Sequence, residues 1–203
     1  MTTLDALTAD KLRAHLDCAI IGRDIVVLDE TTSTNDSVLE RASPTTPEGL
    51  AVFAERQIAG RGQRSNSWES AVGKGIWFSI LLRPKIDIGE SSQLAEWAAR
   101  TVAETISKAF ALQATVKLPN DVVVAGKKIA GILVEMRAQK SAPHIAIVGI
   151  GVNVNHGPED FSEELRARAI SLAIALDREV DRHRFAAALL QNLDRSYRDA
   201  FAR

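Results

Sequence analysis

The segment from residue 114 to residue 155 limits most strongly what this chain can fold into, because it holds three strand-like stretches with very short connections. They read ATVKLP, DVVVAGKKIAGILVEM and HIAIVGIGVNVN, and the second contains a turn signal at Ala125 and Gly126. Parallel neighbours would need a crossover of a dozen or more residues, usually a helix. The short connections therefore predict an antiparallel meander.

Strand and helix patterns continue through the rest of the chain. The segment GIWFSILLRP alternates between two faces and predicts a strand that is buried on at least one side. Strands are predicted at residues 25–30, 50–55 and 75–84, and helices at residues 37–42, 90–110 and 181–203. Strands in a block, with helices before and after, indicate an α+β fold: a mixed, largely antiparallel sheet covered by helices on one face.

Length and charge place the chain among ordinary globular proteins. It has 203 residues and a formal net charge of -1, which gives no global bias toward nucleic acid or membranes. A single cysteine, Cys18, excludes an internal disulfide and fits a reducing compartment. The N-terminus carries acids and has no signal-peptide pattern. We expect a cytoplasmic protein with a single domain over residues 1–203 and an N-terminal extension at residues 1–22.

The stretch AGRGQRSNSWES, residues 59–70, has neither a helical period nor strand alternation. Between Arg56 and Trp68 there are three arginines and no acid. This pattern predicts a flexible loop over residues 56–68 that suits an anionic ligand. A solvated surface loop without a ligand is the alternative.

Several common site motifs are absent. GIGVN, residues 149–153, lacks the third glycine of a dinucleotide fingerprint and opens no helix. The chain has no phosphate-binding P-loop, no G-x-S-x-G and no Cys/His pair at metal-ligand spacing. Its four histidines are scattered along the chain. Rossmann-type nucleotide binding, hydrolase triads and zinc chemistry are therefore excluded as first hypotheses.

Three polar segments interrupt the apolar pattern, and each has two interpretations. Residues 33–35, STN, stand where a strand meets a helix and could hold polar ligand atoms or cap the helix. Residues 117–121, KLPND, form a turn or a site. Lys128 interrupts an apolar strand close to Gly131. It either protects an exposed edge strand from aggregation, which we call the edge-device interpretation, or presents a cation to a bound anion.

Taken together, five segments resemble those of the biotin protein ligases in order and spacing. They are TTSTND, AERQIAGRGQRSNSWES, GKGIWFSILLRP, VKLPNDVVVAGKKIAGILVE and IVGIGVNVNH, and the resemblance runs from about Ile25 to the end of the chain. Members of that family join biotin to ATP, release pyrophosphate and pass biotin from biotinyl-5'-AMP to one lysine of a biotin carboxyl carrier domain. The resemblance implies the biotin/lipoate ligase-like catalytic fold and the same activity, with ATP and biotin as substrates and Mg²⁺ as the metal.

The resemblance also implies roles for particular residues. Lys128 and Arg61 would be catalytic, since a cation stabilises the charge that develops at the reacting carboxylate and phosphate. The biotin-binding residues would be Ser33, Thr34, Asn35, Gln57, Gly60, Arg61, Lys128, Gly131, Gly149 and Gly151. The residues for ATP or the adenylate would be Arg61, Gln63, Arg64, Trp68, Lys117, Asn120 and Asn153, with Trp68 either facing adenine or anchoring the loop in the core. Asp121 would be the Mg²⁺ ligand.

Three features depart from the family pattern. Gln63 stands where the family usually has arginine, so one cation near the adenylate is lost, and Leu118 replaces the usual tryptophan. The sequence reaches Arg203, where the family normally continues into a small β domain, and few residues precede Ile25, so we expect neither that domain nor a DNA-binding domain. We therefore expect biotin, ATP and a carrier domain as partners, no nucleic acid or membrane, and allow for a homodimer.

Two alternative functions remain. One is a lipoate or octanoate ligase of the same fold, although the octanoyl transferases of that group use a cysteine nucleophile and Cys18 lies outside the shared segments. The other is a protein that binds biotin or its adenylate and transfers it only weakly.

Overall fold

A computed structural model of the protein describes residues 6–63, 66–139 and 144–201. These ranges contain the strands β1 Asp24–Thr31, β2 Leu50–Gln57, β3 Gly75–Leu82, β4 Ala114–Lys117, β5 Asp121–Val124, β6 Lys127–Arg137 and β7 Ile145–Asn153. The helices are α1 Ala9–Arg13, α2 Thr34–Arg41, α3 Ser91–Phe110, α4 Glu163–Arg166, α5 Leu172–Leu176 and α6 Arg182–Ala200. Among these described helices, none is long and apolar enough to span a bilayer.

The strands form one sheet in the order β1-β2-β3-β7-β6-β5-β4. β1 and β2 run parallel, and every other neighbouring pair is antiparallel. Strands β4 to β7 follow one another as the predicted meander, and Ala125 and Gly126 form the β5–β6 turn with φ values of 49° and 75°. The expectation of a mixed, largely antiparallel sheet is confirmed.

The two long helices, α3 and α6, pack on one face of the sheet and against each other. They meet the face of β3 that carries Ile76, Phe78, Ile80 and Leu82, all of which are buried in the main core. The short helix α2 lies on the opposite face, where Val38 packs with Leu81 of β3. Cover on one face is thus confirmed for the long helices. α2 differs because the connection between the parallel strands β1 and β2 must cross one face of the sheet.

The arginine loop begins two residues later than expected. β2 continues through Gln57, because Arg56 and Gln57 pair with Glu30 and Thr31 of β1. The loop therefore leaves the sheet at Ile58 and returns through a bridge between Arg61 and Ser67.

Residues 6–22, in the expected N-terminal extension, contribute to the core. Leu7, Leu12 and Ile21 are buried with side chains of α6. The backbone N–H of Leu7 donates to Glu55 Oε1 over 2.6 Å, and Glu55 Oε2 pairs with Arg182 Nη1 at 2.9 Å. Since Arg182 is only 1% exposed, this ion pair joins the N-terminal segment, β2 and α6 away from water.

Removing one partner of the buried Glu55–Arg182 ion pair should destabilise the fold. Arg182→Met leaves the Glu55 carboxylate buried without its counter-charge, so we expect the free energy of unfolding to fall by about 3–5 kcal/mol. Urea denaturation measures this loss. The double variant Glu55→Gln, Arg182→Met should recover much of it, because position 55 then no longer carries a buried charge that has lost its partner. A double variant as unstable as Arg182→Met would contradict this account.

The residues after β7 build an aromatic cluster around His156. This side chain is 2% exposed, stacks on Phe161 with ring centroids 5.0 Å apart and lies edge-on to Trp77 at 5.6 Å. Its Nδ1 is buried without a hydrogen-bond partner in the described ranges. Burial lowers the pKa of His156 from its usual 6.5 to about 4; Asp160 opposes this effect and Lys74 adds to it.

The lowered pKa of His156 predicts how the free energy of unfolding changes with pH. Below about pH 6.5 His156 becomes protonated in the unfolded chain, whereas in the folded chain it stays neutral down to about pH 4. The free energy of unfolding should therefore fall across that window, by on the order of 3 kcal/mol in total. His156→Phe keeps the stacking and should lack this part of the decline when urea unfolding is compared at several pH values. Equal pH slopes in the two proteins would refute the assignment.

Candidate functional site

Two adjoining cavities meet at Trp68 and Lys128, which belong to the walls of both. The first cavity has a volume of about 40 Å³ and the second about 510 Å³. The predicted site residues in the wall of the first are Ser33, Thr34, Asn35, Gln57, Arg61, Gln63, Asn120, Gly131, Gly149 and Gly151. Those in the wall of the second are Lys117, Asp121 and Asn153. Gly60 borders neither cavity, and Arg64 lies outside the described residues.

Glycines of β6 and β7 form the floor of the first cavity. Gly131 and Gly151 face each other across the two strands. A Cβ atom on either one would stand 2.7 Å from the Trp68 ring, and one on Gly149 would collide with Asn35 Oδ1. The absent side chains therefore make room for Trp68 and Asn35, which pack directly on the backbone of the sheet. A Cβ on Gly60 would also lie 2.6 Å from the Trp68 carbonyl oxygen, so this glycine serves the loop's own packing.

The STN segment does not act as a helix cap. Ser33 stands at the N-cap of α2, but its side chain makes no capping hydrogen bond. The next two residues turn into the site: Thr34 N donates to Gln57 Oε1 over 2.8 Å, and Asn35 Nδ2 donates to Glu135 Oε2 over 2.7 Å. Ser33, Thr34 and Asn35 are all at most 4% exposed. The capping interpretation is therefore not supported, and the segment builds one end of the first cavity.

Arg61 is held by two carboxylates. Its guanidinium donates to both oxygens of Asp36, over 2.7 and 2.8 Å, and to Glu135 Oε2 over 3.2 Å. The hydrogen bond to Asp36 raises the pKa of Arg61, and the same bond lowers the pKa of the Asp36 carboxyl. Bidentate geometry makes this one of the stronger ion pairs available to a partly exposed side chain. Arg61 thus ties the loop to α2 and β6.

Lys128 projects where the two cavities join. Its Nζ pairs with Asp121 Oδ1 at 2.6 Å and lies 5.3 Å from the centre of the Trp68 ring. β6 is an inner strand, and beside Lys128 its backbone bonds to β5 on one side and to residues 168–170 on the other. The edge-device interpretation is therefore wrong, because no sheet edge is open at this position.

Trp68 sits on the glycine floor rather than pointing into solvent. Its ring lies edge-on to Trp77, with centroids 6.0 Å apart, and its indole N–H is buried without a partner in the described part of the chain. In this position it limits the volume of the first cavity. The ring still forms part of the wall of the second cavity, so both interpretations of Trp68 remain compatible with its location.

The remaining predicted residues differ in whether their side chains already form hydrogen bonds within the protein. Asn120 Nδ2 donates to the Ile132 carbonyl over 2.8 Å and fixes the KLPND turn to β6. Asn153 Nδ2 donates to the Ile170 carbonyl over 3.2 Å. Lys117 is exposed at the end of β4. Among the described residues, no three His, Cys, Asp or Glu side chains are grouped to hold a metal, so Asp121 would have to share an ion with substrate phosphates.

Three residues of the site were missed from the sequence: Asp36, Ser79 and Glu135. Ser79 is fully buried in β3, and its Oγ lies 2.7 Å from Thr34 Oγ1 and 2.6 Å from Asn35 Oδ1. A single hydroxyl inside the apolar run GIWFSILL, and a single acid inside AGILVEM, were the available signals. Polar residues in buried strands need hydrogen-bond partners, so the sequence pattern alone would have predicted that Ser79 and Glu135 bind other polar groups.

Comparisons with known proteins agree with this geometry. A model of the biotin/lipoate A/B protein ligase family matches residues 27–153, well over half of the chain. The bifunctional ligase/repressor BirA of Bacillus subtilis (strain 168) is 38% identical over 193 residues, which cover 95% of this chain and 59% of BirA. The biotin–[acetyl-CoA-carboxylase] ligase of Mycobacterium tuberculosis is 30% identical over 200 residues, with 91% and 72% covered. This chain thus spans less than two thirds of the Bacillus relative.

A solved structure gives the same picture. The biotin protein ligase from Aquifex aeolicus in complex with biotin and ATP is 28% identical, with a TM-score of 0.74 over 88% of this chain and 73% of that one. The family match begins in β1, before the arginine loop, and ends with β7 at Asn153, so it takes in Lys128 and the glycine floor. With the same fold, and with the first cavity and the Lys117, Asp121, Lys128 and Asn153 part of the second inside the matched region, the chain belongs to the biotin/lipoate A/B protein ligase family.

Proposed function

We propose that this chain is an ATP-dependent biotin protein ligase, which activates biotin as biotinyl-5'-AMP and transfers it to a lysine of a biotin carboxyl carrier domain. The observation that carries the proposal is the position of Lys128, a cation in the shared wall of a small cavity rich in amide and hydroxyl groups and a larger cavity with basic residues. A carboxylate from one side and a phosphate from the other would meet at its Nζ.

The first cavity suits the ureido ring of biotin. Gln57 Oε1 is engaged by Thr34, while its Nε2 has no hydrogen-bond partner in the described ranges and lies beside Gly60. This N–H group would donate to the ureido oxygen. The apolar body of biotin would lie on the floor of Gly131 and Gly151, so Trp68 has to leave that floor when biotin enters, which would free its ring to face adenine.

The second cavity suits ATP. Its volume of about 510 Å³ falls in the range of ligand pockets, roughly 300–1,000 Å³. Its wall combines the cations Lys117, Lys128 and Arg168, which would bind phosphates, with the acids Glu69, Asp121, Asp160 and Glu164, and Asn153 offers an amide for the ribose or base. Asp121 would hold Mg²⁺ together with the phosphates, because Mg²⁺ commonly binds through one or two carboxylates plus substrate oxygens. Bound there, the ion would neutralise charge on the departing pyrophosphate.

The chemistry then needs little beyond positioning and charge. The biotin carboxylate oxygen bonds to the α-phosphorus as the bond from that phosphorus to pyrophosphate breaks. The Lys128 ammonium stabilises the negative charge that builds up on the oxygens at the reacting centre. In the second step the neutral amine of the carrier lysine bonds to the acyl carbon, the bond from that carbon to the AMP oxygen breaks, and the amine releases a proton to solvent as AMP leaves. The loop around Arg61 would keep water from the mixed anhydride in between.

A carboxylase carrier domain is the proposed acceptor because the Mycobacterium relative is named for acetyl-CoA carboxylase. A reducing compartment, the cytoplasm, suits a chain whose single cysteine stays unpaired. Association into a homodimer and the absence of a nucleic-acid partner stay predictions.

Lipoate is the main rival substrate, since the family includes lipoate ligases. The dithiolane ring of lipoate offers no strong hydrogen-bonding group, so it would leave the Gln57 NH₂ group unpaired, which is costly. We therefore expect pyrophosphate release with ATP, Mg²⁺ and biotin, and far less with lipoate or octanoate in parallel reactions. Equal rates with lipoate, or no dependence on biotin, would overturn the proposed function.

Replacing Lys128 should lower enzyme activity far more than it lowers the stability of the fold. Lys128→Ala removes the charge at the reacting centre, and we expect biotin-dependent pyrophosphate release to fall about 10²- to 10³-fold. The free energy of unfolding should change by about 1 kcal/mol or less, because the lost ion pair with Asp121 is partly exposed. Lys127→Ala, one residue earlier in β6 and in neither cavity wall, is the matched control. A Lys128→Ala variant with near-normal turnover would remove the lysine from the mechanism.

A further inference from the structure

We propose that Ser79 and Glu135 are positioning residues that set the polarity of the ring-binding end and tie it to the arginine loop. The inference rests on the proposed function. Five described side chains are joined in series: Gln57, Thr34, Ser79, Asn35 and Glu135, the last of which also accepts from the loop. Gln57, Thr34 and Asn35 line the first cavity, whereas Ser79 and Glu135 hold them from outside its wall.

Ser79 determines which way the hydrogen bonds run. Its hydroxyl has one proton and two close neighbours, Asn35 Oδ1 at 2.6 Å and Thr34 Oγ1 at 2.7 Å. Asn35 Nδ2 donates to Glu135, so Asn35 Oδ1 can only accept. Ser79 therefore donates to Asn35, and the Thr34 hydroxyl, which lies between Ser79 Oγ at 2.7 Å and Gln57 Oε1 at 3.1 Å, is left as a donor to both.

The donor role that Ser79 leaves to the Thr34 hydroxyl helps to fix the orientation of the Gln57 amide. Gln57 Oε1 accepts from the Thr34 backbone N–H at 2.8 Å and from the Thr34 hydroxyl at 3.1 Å. The Gln57 NH₂ group is then the part that faces a ligand. A ring that presents a carbonyl oxygen is accepted, whereas a ring that presents N–H groups at that place meets a donor. Ser79 thus contributes to selectivity for a ureido ring without touching it.

Glu135 links the ring end to the loop through one atom. Its Oε2 accepts from Asn35 Nδ2 at 2.7 Å and from Arg61 Nη2 at 3.2 Å. The carboxylate is partly buried, with 26% of the side chain exposed, so its charge is less screened than that of a surface acid. Asp36 holds the other side of the same guanidinium. A ligand ring that moves Asn35 therefore also moves the Glu135 carboxylate that binds Arg61. In this way the position of the arginine loop depends on the bound ring.

The first test compares ligands that differ only at the ring carbonyl. Biotin and 2-iminobiotin, in which an imino group replaces the ureido oxygen, are assayed by pyrophosphate release with wild type and Ser79→Ala. We expect the KM for biotin to rise about tenfold, the cost of one buried hydrogen bond, with kcat changed less than about threefold. The preference for biotin over 2-iminobiotin should fall by about the same factor as KM rises. Thr105→Val, which removes a buried hydroxyl on the α3 side of the sheet, should change neither ratio.

Thr34→Val is the second variant if Ser79→Ala does not fold, since it deletes the hydroxyl that donates to Ser79 while keeping the backbone N–H on Gln57. It should reduce the same preference. A variant that loses stability yet keeps the wild-type preference for biotin would show that the hydroxyl has a structural role only, and would overturn this part of the proposal.

The second test needs no ligand and reads the loop directly. Glu135→Gln removes the charge that Arg61 shares with Asp36, so trypsin should cut the Arg61–Gly62 bond several-fold faster than in wild type, as followed by mass spectrometry. Glu96→Gln, which weakens the exposed pair with Arg100 on α3, is the control and should leave the rate unchanged. Equal rates for Glu135→Gln and wild type would overturn the link to the loop.

The two kinds of failure are distinguishable. A wild-type chain without biotin-dependent pyrophosphate release overturns the proposed function, and the assignment of Ser79 with it. An active wild type whose Ser79→Ala and Glu135→Gln variants behave like their controls overturns this inference alone.

Discussion

The candidate site depends on a patch of sheet without side chains. Gly131 and Gly151 stand opposite each other in β6 and β7, with Gly149 two residues before Gly151. Two neighbours, Trp68 and Asn35, rest on this patch at distances that a Cβ atom would forbid. Interiors are packed too tightly to absorb such an addition without a shift of backbone. Loop, helix α2 and sheet therefore meet at one place only because three glycines allow it.

Charge is distributed around this patch in pairs. Arg61 is bound by Asp36 and Glu135, and Lys128 by Asp121. An anionic ligand would have to compete with carboxylates for these cations, which makes binding an exchange of partners rather than a capture of free charge. The same pairing holds the cations in place beforehand, so less side-chain freedom is lost when a ligand arrives. A carboxylate beside each cation would thus favour ligands that bind several polar or charged side chains of the site at once.

Predictions from the sequence were accurate where the signal was local. Four strands from residue 114 onward formed a meander because their connections are too short for anything else. The stripes of α3 and α6 met the alternating face of β3 because periodicity and burial agree there. Lys128 was singled out because a charge in an apolar strand is conspicuous, but its role at the junction of two cavities came from the resemblance. Asp36 looks ordinary until its contact with Arg61 is known. Ser79 and Glu135 stand out as single polar residues in apolar strands, but their partners are distant in the sequence, so their roles were not predicted.

The sequence by itself determined the sheet-forming segments, the two long amphipathic helices, the arginine-rich loop and the family pattern, because each is written in neighbouring residues. Only the tertiary structure decided that α2 lies opposite the long helices and that β6 is an inner strand. It also decided that Ser79 lies between Thr34 and Asn35, 44 residues or more away along the chain. Contacts over such separations are selected by how strands register and how glycines let helices approach, and no local pattern records that selection.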